Sequence, residues 1–280
     1  MTFSIVGFDP NTKELGIAVQ SKFLGVGAVV PWAKAGVGAV ATQSYANTTY
    51  GPKGLELMEA GKSAQEAIDI LTGEDTESAY RQVGIVDGKG NAATFTGDKC
   101  YDWAGGVTGL NFAAQGNILV SEETVQAMAK VFLETEGSLA ERLLNALDAG
   151  QDAGGDSRGM QSASLLVVKE KGGYAGFNDR YIDLRVDDHP DPIKELIRIY
   201  ELQQLYFAPT KEENIVEIKG EVREELIREL HRHGYLDQSS VVQEETLYQS
   251  LTAYLHTENF EGREQAKGKI DLEVLQYMKK

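Results

Sequence analysis

Residues 2–9 read Thr2-Phe3-Ser4-Ile5-Val6-Gly7-Phe8-Asp9. Their apolar and aromatic side chains predict a short buried strand that ends in a turn at Asp9 and Pro10. If Met1 is removed, Thr2 carries both a hydroxyl and the α-amine of the chain. An α-amine titrates at about 7.7–8.0, against roughly 10.4 for a lysine, and a threonine activated by its own amine is a known nucleophile. Position alone also fits a strand that simply begins at a threonine.

Composition narrows the class of protein. The 280 residues suffice for one large domain or two, and the formal net charge of −16 disfavours nucleic acid and anionic membrane surfaces as partners. The single cysteine, Cys100, permits no internal disulfide. The chain opens with no secretory leader and contains no apolar run of the roughly 20 residues that span a bilayer. We therefore expect a cytoplasmic protein.

Hydrophobic patterning predicts strands before, between and after groups of helices. The predicted strands cover residues 2–8, 15–20, 25–30, 36–43, 81–87, 91–96, 109–115, 161–169, 173–178 and 180–186. Predicted helices begin at Pro52, after the capping boxes Ser63/Glu66 and Ser138/Glu141, near Ser121 and at Pro192. Strands and helices do not alternate, so the pattern favours antiparallel sheets with helices on the outside, an α+β fold.

The composition changes after the polar segment 208–213, which contains Pro209 and is typical of a linker. Residues 214–280 place leucines at helical spacing, among them Leu226 and Leu230, then Leu247 and Leu251. The sequence therefore predicts two domains, at residues 1–207 and 214–280, and the second is small and mostly helical.

Several segments, taken together and in order, resemble the family called domain of unknown function ten-twenty-eight (DUF1028). They are residues 2–6, 16–22, 30–43, 50–54, 115–117, 154–163 and 184–189, and the resemblance extends over about residues 2–205. That family is grouped with the N-terminal-nucleophile hydrolases. The resemblance implies a four-layer αββα sandwich and a first mature residue, here Thr2, that attacks an amide bond.

The C-terminal segments 226–234, 257–261 and 270–275 resemble a module named a putative peptidoglycan-binding domain. An acidic chain that we expect in the cytoplasm argues against cell-wall glycan as a partner of this tail. The predicted partner is a small-molecule substrate, and no cofactor is predicted. Glycine-rich sheets, together with the architecture of similar proteins, also favour a homo-oligomer.

The resemblance further implies a lysine close to the nucleophile, and the sequence leaves Lys22 and Lys34 open for that role. The polar residues at the end of the apolar strand 36–43 could bind an oxyanion or a substrate, although asparagine and serine also favour ordinary turns. The predicted catalytic residues are Thr2, Lys22, Lys34, Thr42 and Gln43. The predicted substrate-binding residues are Ser44, Asn47, Asn117, Asp156 and Arg158.

The last two of these lie in a glycine-bounded loop, residues 154–159. Successive backbone amides there could form an anion-binding nest, and Arg158 could hold a substrate carboxylate. The loop lacks the lysine-serine/threonine ending of a nucleotide-binding P-loop. A tight turn with an internal ion pair between Asp156 and Arg158 fits the same residues.

A second constellation combines Asp187, Asp188 and His189, which could hold a divalent metal. A structural alternative is that Arg185 pairs with its acidic neighbours, since Asp183 and Arg185 share a strand face. The preferred function is hydrolysis of a small amide, anionic or amino-acid-like, by Thr2. The alternatives are a non-catalytic binding or assembly protein on the same scaffold and a metal-dependent hydrolase.

Overall fold

The computed structural model describes residues 2–237 and 242–280. Contacts divide the chain into two compact units, the first ending at Arg198 and the second covering Ile199–Lys280. The division falls inside the helix that begins at Pro192, because Leu205 and Tyr206 pack into the core of the second unit.

The first unit contains ten strands and four helices, followed by the start of a fifth, among its described residues. The strands are β1 Thr2–Phe8, β2 Leu15–Ser21, β3 Pro31–Lys34, β4 Gly38–Ser44, β5 Arg81–Asp87, β6 Ala92–Thr96, β7 Gly105–Gly109, β8 Phe112–Asn117, β9 Ser162–Val168 and β10 Arg180–Val186. The helices are α1 Tyr50–Glu59, α2 Ala64–Glu74, α3 Glu123–Glu134, α4 Leu139–Asp152 and α5 Pro192–Phe207.

Two antiparallel sheets face each other. One has the strand order β10-β9-β2-β1-β8-β7 and the other the order β3-β4-β5-β6. Between them Val6, Ile17 and Val19 pack against Ala39 and Ala41 in one hydrophobic cluster. The expected mixed fold with antiparallel sheets is therefore confirmed.

Helices cover the outer face of each sheet. Helices α1 and α2 pack on the smaller sheet, where Met58 and Ile68 join Val40 in a second cluster. Helices α3 and α4 pack on the larger sheet, where a Cβ added at Gly7 would lie 3.0 Å from Phe132. Apolar side chains on both faces explain why the strands read as near-continuous hydrophobic runs.

Strand alternation decides where Thr2 points. Thr2 and Ser4 face the other sheet, whereas Phe3 faces the helices and contacts the position of Gly150. A polar side chain at the first position of β1 thus lies between the sheets, at their edge, and not under the helices.

Two predicted strands are wrong. Residues 25–30 contain a 3-10 turn, Val26–Ala28, because Gly25 adopts a left-handed φ of 66° and the Val26 amide donates to Ser162 Oγ at 3.0 Å. Residues 173–178 contain the 3-10 turn Tyr174–Gly176, and Phe177 there is 89% exposed. Apolar composition alone does not show whether a segment is extended.

Other predicted strands have different bounds. The strand predicted at 36–43 is β4, and the one predicted at 109–115 is β8. The sequence predicts no strand at β3 or β7, both of which are edge strands of four and five residues. The hairpin of β5 and β6 and the strands β1, β2, β9 and β10 are confirmed.

Both predicted capping boxes are confirmed. Ser63 accepts from the Glu66 amide and Ser138 from the Glu141 amide, and each glutamate reaches back to the amide of its serine. Helix α4 continues past Gly150 to Asp152. That glycine serves close packing instead, because an added Cβ would lie 2.8 Å from Met128.

The second unit is mostly helical. Its elements after α5 are β11 Ile215–Glu217, α6 Gly220–Arg232, α7 Glu244–Thr257, β12 Lys269–Asp271 and α8 Leu272–Met278. Arg263 is 3% exposed, and its guanidinium donates to Asp271 Oδ2 and to the carbonyl of Leu205, at 2.8 and 2.7 Å. This arginine therefore ties the last turns of α5 to the strand β12.

Over residues 2–237 and 242–280, none of the helices combines the length and the apolar character needed to cross a lipid bilayer.

Candidate functional site

A cavity of about 410 Å³ opens beside Thr2 at the edge of the two sheets. Its wall combines hydroxyl, amide, guanidinium and aliphatic groups. The lining residues are Thr2, Ser21, Phe23, Val26, Val29, Val30, Gln43, Ser44, Tyr45, Ala46, Arg81 and Arg158. The volume lies in the range of small-molecule sites.

Thr2 is held at both its hydroxyl and its carbonyl. Its Oγ1 donates to Ser21 Oγ at 3.1 Å. Its carbonyl oxygen accepts from Gln43 Nε2 at 3.3 Å and from Asn117 Nδ2 at 3.5 Å. The residue is 5% exposed. The hydroxyl therefore meets the cavity from a fixed backbone position.

A buried amide network lies behind Thr2 and joins the two sheets. Gln82 Oε1 accepts from both Gln43 Nε2 and Asn117 Nδ2 at 2.8 Å. Gln82 Nε2 in turn donates to the carbonyl of Gly116 at 2.7 Å. Because each amide can be oriented only one way to satisfy these bonds, Gln82 fixes the two groups that hold the carbonyl of Thr2.

The network continues through Ser4 to Gln115. Ser4 Oγ donates to Gln43 Oε1 at 2.6 Å and accepts from Gln115 Nε2 at 2.7 Å. We call these five residues, Ser4, Gln43, Gln82, Gln115 and Asn117, the amide network. All five are buried. Directional bonds thus replace hydrocarbon packing between the sheets at this end.

Arg81 forms one polar wall of the cavity. Its guanidinium donates to Asp75 Oδ2 at 3.0 Å, to Glu77 Oε2 at 3.0 Å and to the carbonyl of Tyr45 at 2.7 Å. The bond from Arg81 holds the pKa of the Asp75 carboxyl well below its usual range, and Asp75 raises the pKa of Arg81. The pKa of the Tyr50 phenol is raised, mainly by burial and to a smaller extent by its hydrogen bond to Asp75.

Arg158 supplies a second guanidinium to the cavity. Its Nε and Nη2 donate to the two carboxylate oxygens of Asp156, at 3.0 and 2.7 Å, in a bidentate pair. Asp156 is 3% exposed and also accepts from the Lys22 backbone amide at 3.1 Å. The predicted ion pair is present, and it orients Arg158 on a cavity wall.

The structure brings together only part of the predicted site. Thr2, Gln43, Ser44 and Arg158 line the cavity. Asn117 lies behind it in the amide network, and Asp156 supports Arg158.

Four predicted site residues do not line this cavity. Lys34 Nζ pairs with Glu59 at 2.5 Å on the surface, and Lys22 Nζ donates to the Met160 carbonyl at 3.1 Å. Thr42 Oγ1 donates to the carbonyl of Asn47 at 3.1 Å. The side chain of Asn47 lines a separate cavity of about 180 Å³ with Asp75.

The alternative metal site is not assembled. Asp188 accepts from Gln161 Nε2 at 3.1 Å, and His189 Nδ1 is bonded to the backbone of Asp191. Across the described part of the chain, no group of three or more histidine, cysteine, aspartate or glutamate side chains could hold a metal ion. Arg185 pairs instead with Asp183 at 2.9 Å, as the structural alternative predicts.

Sequence reasoning missed Ser21, Tyr45 and Arg81. Ser21 continues the alternation of Ile17 and Val19 toward the other sheet, and that pattern could have indicated it. Arg81 reaches the cavity because its Cα pairs with Ser44 in the sheet, and no sequence signal specifies that pairing.

Comparison with known proteins places this chain in a family. Residues 2–196 match the model of the "family of unknown function" DUF1028, and the chain belongs to that family. Residues 206–278 match a "putative peptidoglycan binding domain". No curated protein matches the chain.

Two solved structures are similar to this chain to different degrees. Protein SPO2555 from Silicibacter pomeroyi, a DUF1028 crystal structure, is 31% identical with a TM-score of 0.67, over 80% of this chain and 88% of that chain. Anbu, an ancestral beta-subunit from Yersinia bercovieri, is 11% identical with a TM-score of 0.33, over 72% of this chain and 94% of that chain.

Proposed function

We propose that the first unit is an N-terminal-nucleophile hydrolase that cleaves a small amide with Thr2 after removal of Met1. The observation that carries the proposal is the position of the Thr2 hydroxyl, which lines the cavity and donates to Ser21 Oγ at 3.1 Å. In this proposal the two facing sheets, each covered by helices on its outer face, form the αββα sandwich of that class.

The reaction follows from a hydroxyl and a free amine on one residue. The amine takes the proton of Oγ1 as Oγ1 attacks the amide carbonyl carbon. When the tetrahedral intermediate collapses, the carbon–nitrogen bond breaks, and the amine of Thr2 returns the proton to the leaving nitrogen. Water then attacks the resulting ester and gives a proton to the amine. The bond between the acyl carbon and Oγ1 breaks, the amine passes the proton to Oγ1, and the acyl group leaves as a carboxylic acid. Ser21 Oγ, as the partner of Oγ1, orients the attacking oxygen.

The amide network positions Thr2 in this scheme. Gln43 and Asn117 hold its carbonyl, and Gln82 holds both of their amides. Small displacements of a nucleophile are costly because attack requires close approach along a narrow direction. We infer that the network keeps Oγ1 aimed at the cavity.

The guanidiniums favour a substrate that presents oxygens. Arg81 and Arg158 line the cavity, and each is already paired with carboxylates, Arg81 with Asp75 and Arg158 with Asp156. Because the carboxylates neutralise both guanidiniums, these walls offer N–H donors in fixed positions and little net positive charge. A carboxylate or carbonyl on an anionic or amino-acid-like substrate fits such donors.

The test is capture of Thr2 by an electrophile that reacts with N-terminal threonine. Untagged protein whose intact mass lacks one methionine is treated with an epoxyketone, which bonds to both the hydroxyl and the amine. We expect one adduct per chain, none in Thr2→Ala, and full labelling in the control Thr108→Ala, which removes an exposed hydroxyl on β7. Retained Met1, or equal labelling of Thr2→Ala, contradicts the proposal and favours a binding protein.

A further inference from the structure

The turn at residues 25–30 is a rigid wall of the cavity. The Gly25 amide donates to the carbonyl of Asp187 at 2.9 Å, and the Val26 amide donates to Ser162 Oγ at 3.0 Å. Ser162 Oγ in turn donates to the carbonyl of Phe23 at 2.5 Å. Strands β9 and β10 and their flanks thus fix the turn on both sides.

Packing beneath the turn prevents it from moving inward. A Cβ added at Gly27 would lie 2.7 Å from the Cβ of Ser164, so the backbone of the turn already rests on β9. Within this turn Val26 and Val30 are 1% and 3% exposed. Both pack in the core between the sheets, and the half-buried Val29 presents more of its aliphatic side chain to the cavity than they do.

This wall is chemically distinct from the rest of the cavity. Val26, Val29 and Val30, together with Phe23, supply its apolar lining. The polar lining comes from other segments, namely the first residues of β1 and β5, the ends of β2 and β4 and the loop at Arg158. A ligand that fills the cavity thus meets hydrocarbon from one segment and hydrogen-bond donors from the others.

We propose that Val26, Val29 and Val30 form a subsite for the aliphatic acyl group of the amide substrate, an inference that rests on the proposed function. The acyl half of an amide stays bonded to the nucleophile while the amine half leaves. Preformed, buried hydrocarbon suits the half that must be retained, and the part-exposed donor of Arg158 suits the half that exits. The substrate class is an N-acyl amino acid with a short aliphatic chain.

Chain length gives the expected signature. Burial of one methylene raises affinity by about fourfold when it is complete. We expect epoxyketones that carry the alkyl chain directly on the ketone, so that the ketone carbon takes the place of the scissile carbonyl carbon, to label at least about tenfold more efficiently from the acetyl through the butanoyl to the hexanoyl member. The rise is smaller than complete burial would give because the cavity is open.

The matched variants are Val29→Ser, which changes a half-buried wall residue, and Val120→Ser, which changes an exposed valine outside the cavity. Val29→Ser should reduce hexanoyl labelling about fivefold, leave acetyl labelling unchanged, and leave the melting temperature close to that of Val120→Ser. An equal loss for acetyl and hexanoyl probes, or no rise with chain length in the wild type, overturns the subsite.

A second measurement separates this inference from the nucleophile. N-hexanoylglycine and N-acetylglycine, which the full chain carrying Thr2→Ala should bind without hydrolysing, are titrated into that variant, with and without Val29→Ser, by calorimetry. A preference for hexanoyl that Val29→Ser removes supports the subsite even where the epoxyketones fail to label Thr2. Labelling of Thr2 without any chain-length preference in either measurement supports the nucleophile and rejects the subsite. Absence of both results rejects both.

Discussion

The hydroxyl of Thr2 donates to the hydroxyl of Ser21 at 3.1 Å, from β1 to the neighbouring strand β2. Both residues line the cavity, and both are at most 5% exposed. Because neighbouring antiparallel strands keep a fixed register, the two oxygens are held by the backbone and do not depend on a loop. This pair is the part of the site where a single-atom change should affect reactivity without disturbing the fold.

We expect Ser21→Ala to slow epoxyketone capture about fivefold, because the hydrogen bond that orients Oγ1 before attack contributes roughly 1 kcal/mol. The rate is measured by intact mass at several probe concentrations. Thr108→Ala, the exposed-hydroxyl control, should react at the wild-type rate. An unchanged rate in Ser21→Ala would leave Ser21 with no role in orienting Oγ1.

Gln82→Glu should destabilise the protein by about 3 kcal/mol at pH 7, because a buried carboxylate would replace the donor to Gly116 and face that carbonyl. Burial should raise the pKa of this carboxyl in the folded state. The deficit relative to wild type should therefore be smallest below the pKa of an unfolded glutamate and grow as pH rises through the folded pKa.

Urea unfolding of Gln82→Glu between pH 4 and pH 8 measures that dependence. The control is Gln126→Glu, an exposed position on α3, which should stay within about 0.5 kcal/mol of wild type. A pH-independent deficit for Gln82→Glu would mean that the network tolerates the charge.

Asp75→Asn should be less stable than the wild type at neutral pH, and this difference in stability should decrease in acid. The bond from Arg81 depresses the pKa of Asp75 in the folded protein, so its stabilising contribution is complete above the unfolded pKa of about 3.9 and decreases as pH falls toward the folded value. We expect the variant to be about 2 kcal/mol less stable at pH 7. Denaturant titrations at pH 7, 4 and 2.5 should show this gap closing, while Asp69→Asn, exposed on α2, shows no gap at any pH.

Arg263→Met should destabilise the second unit by about 3–5 kcal/mol, because it leaves Asp271 buried without its partner. Lys267→Met removes an ion pair of similar length to Glu245, but both side chains are more than 60% exposed, so its effect should stay below about 1 kcal/mol. Chemical denaturation of the full chain, followed through the tyrosines packed around Phe260, compares the two. Equal losses would contradict the role assigned to burial.

The sequence predicted those features whose partners are close along the chain. The two capping boxes need only residues three apart, and both Ser63 and Ser138 lie where the pattern predicts them. The strand β1, with Thr2 at its start, is equally predictable from the sequence, because its apolar run is followed by a turn.

Features that depend on distant pairing were not predictable in this way. Arg81 reaches the cavity only through its register with Ser44, and Lys34 pairs at the surface with Glu59, which lies 25 positions later. Segment 25–30 shows a different limit. Its valines indicate burial, yet burial is achieved in a turn, because Gly25 takes a left-handed conformation that a strand excludes.

The amide network has a spectroscopic consequence. The side-chain amides of Gln43, Gln82, Gln115 and Asn117 are at most 1% exposed, so their NH₂ protons are shielded from solvent. Such protons exchange slowly with deuterium and resonate away from the crowded signals of surface glutamines. The NMR signals of these NH₂ groups therefore report how the groups behind Thr2 respond when a molecule enters the cavity, and no label has to be attached to the protein.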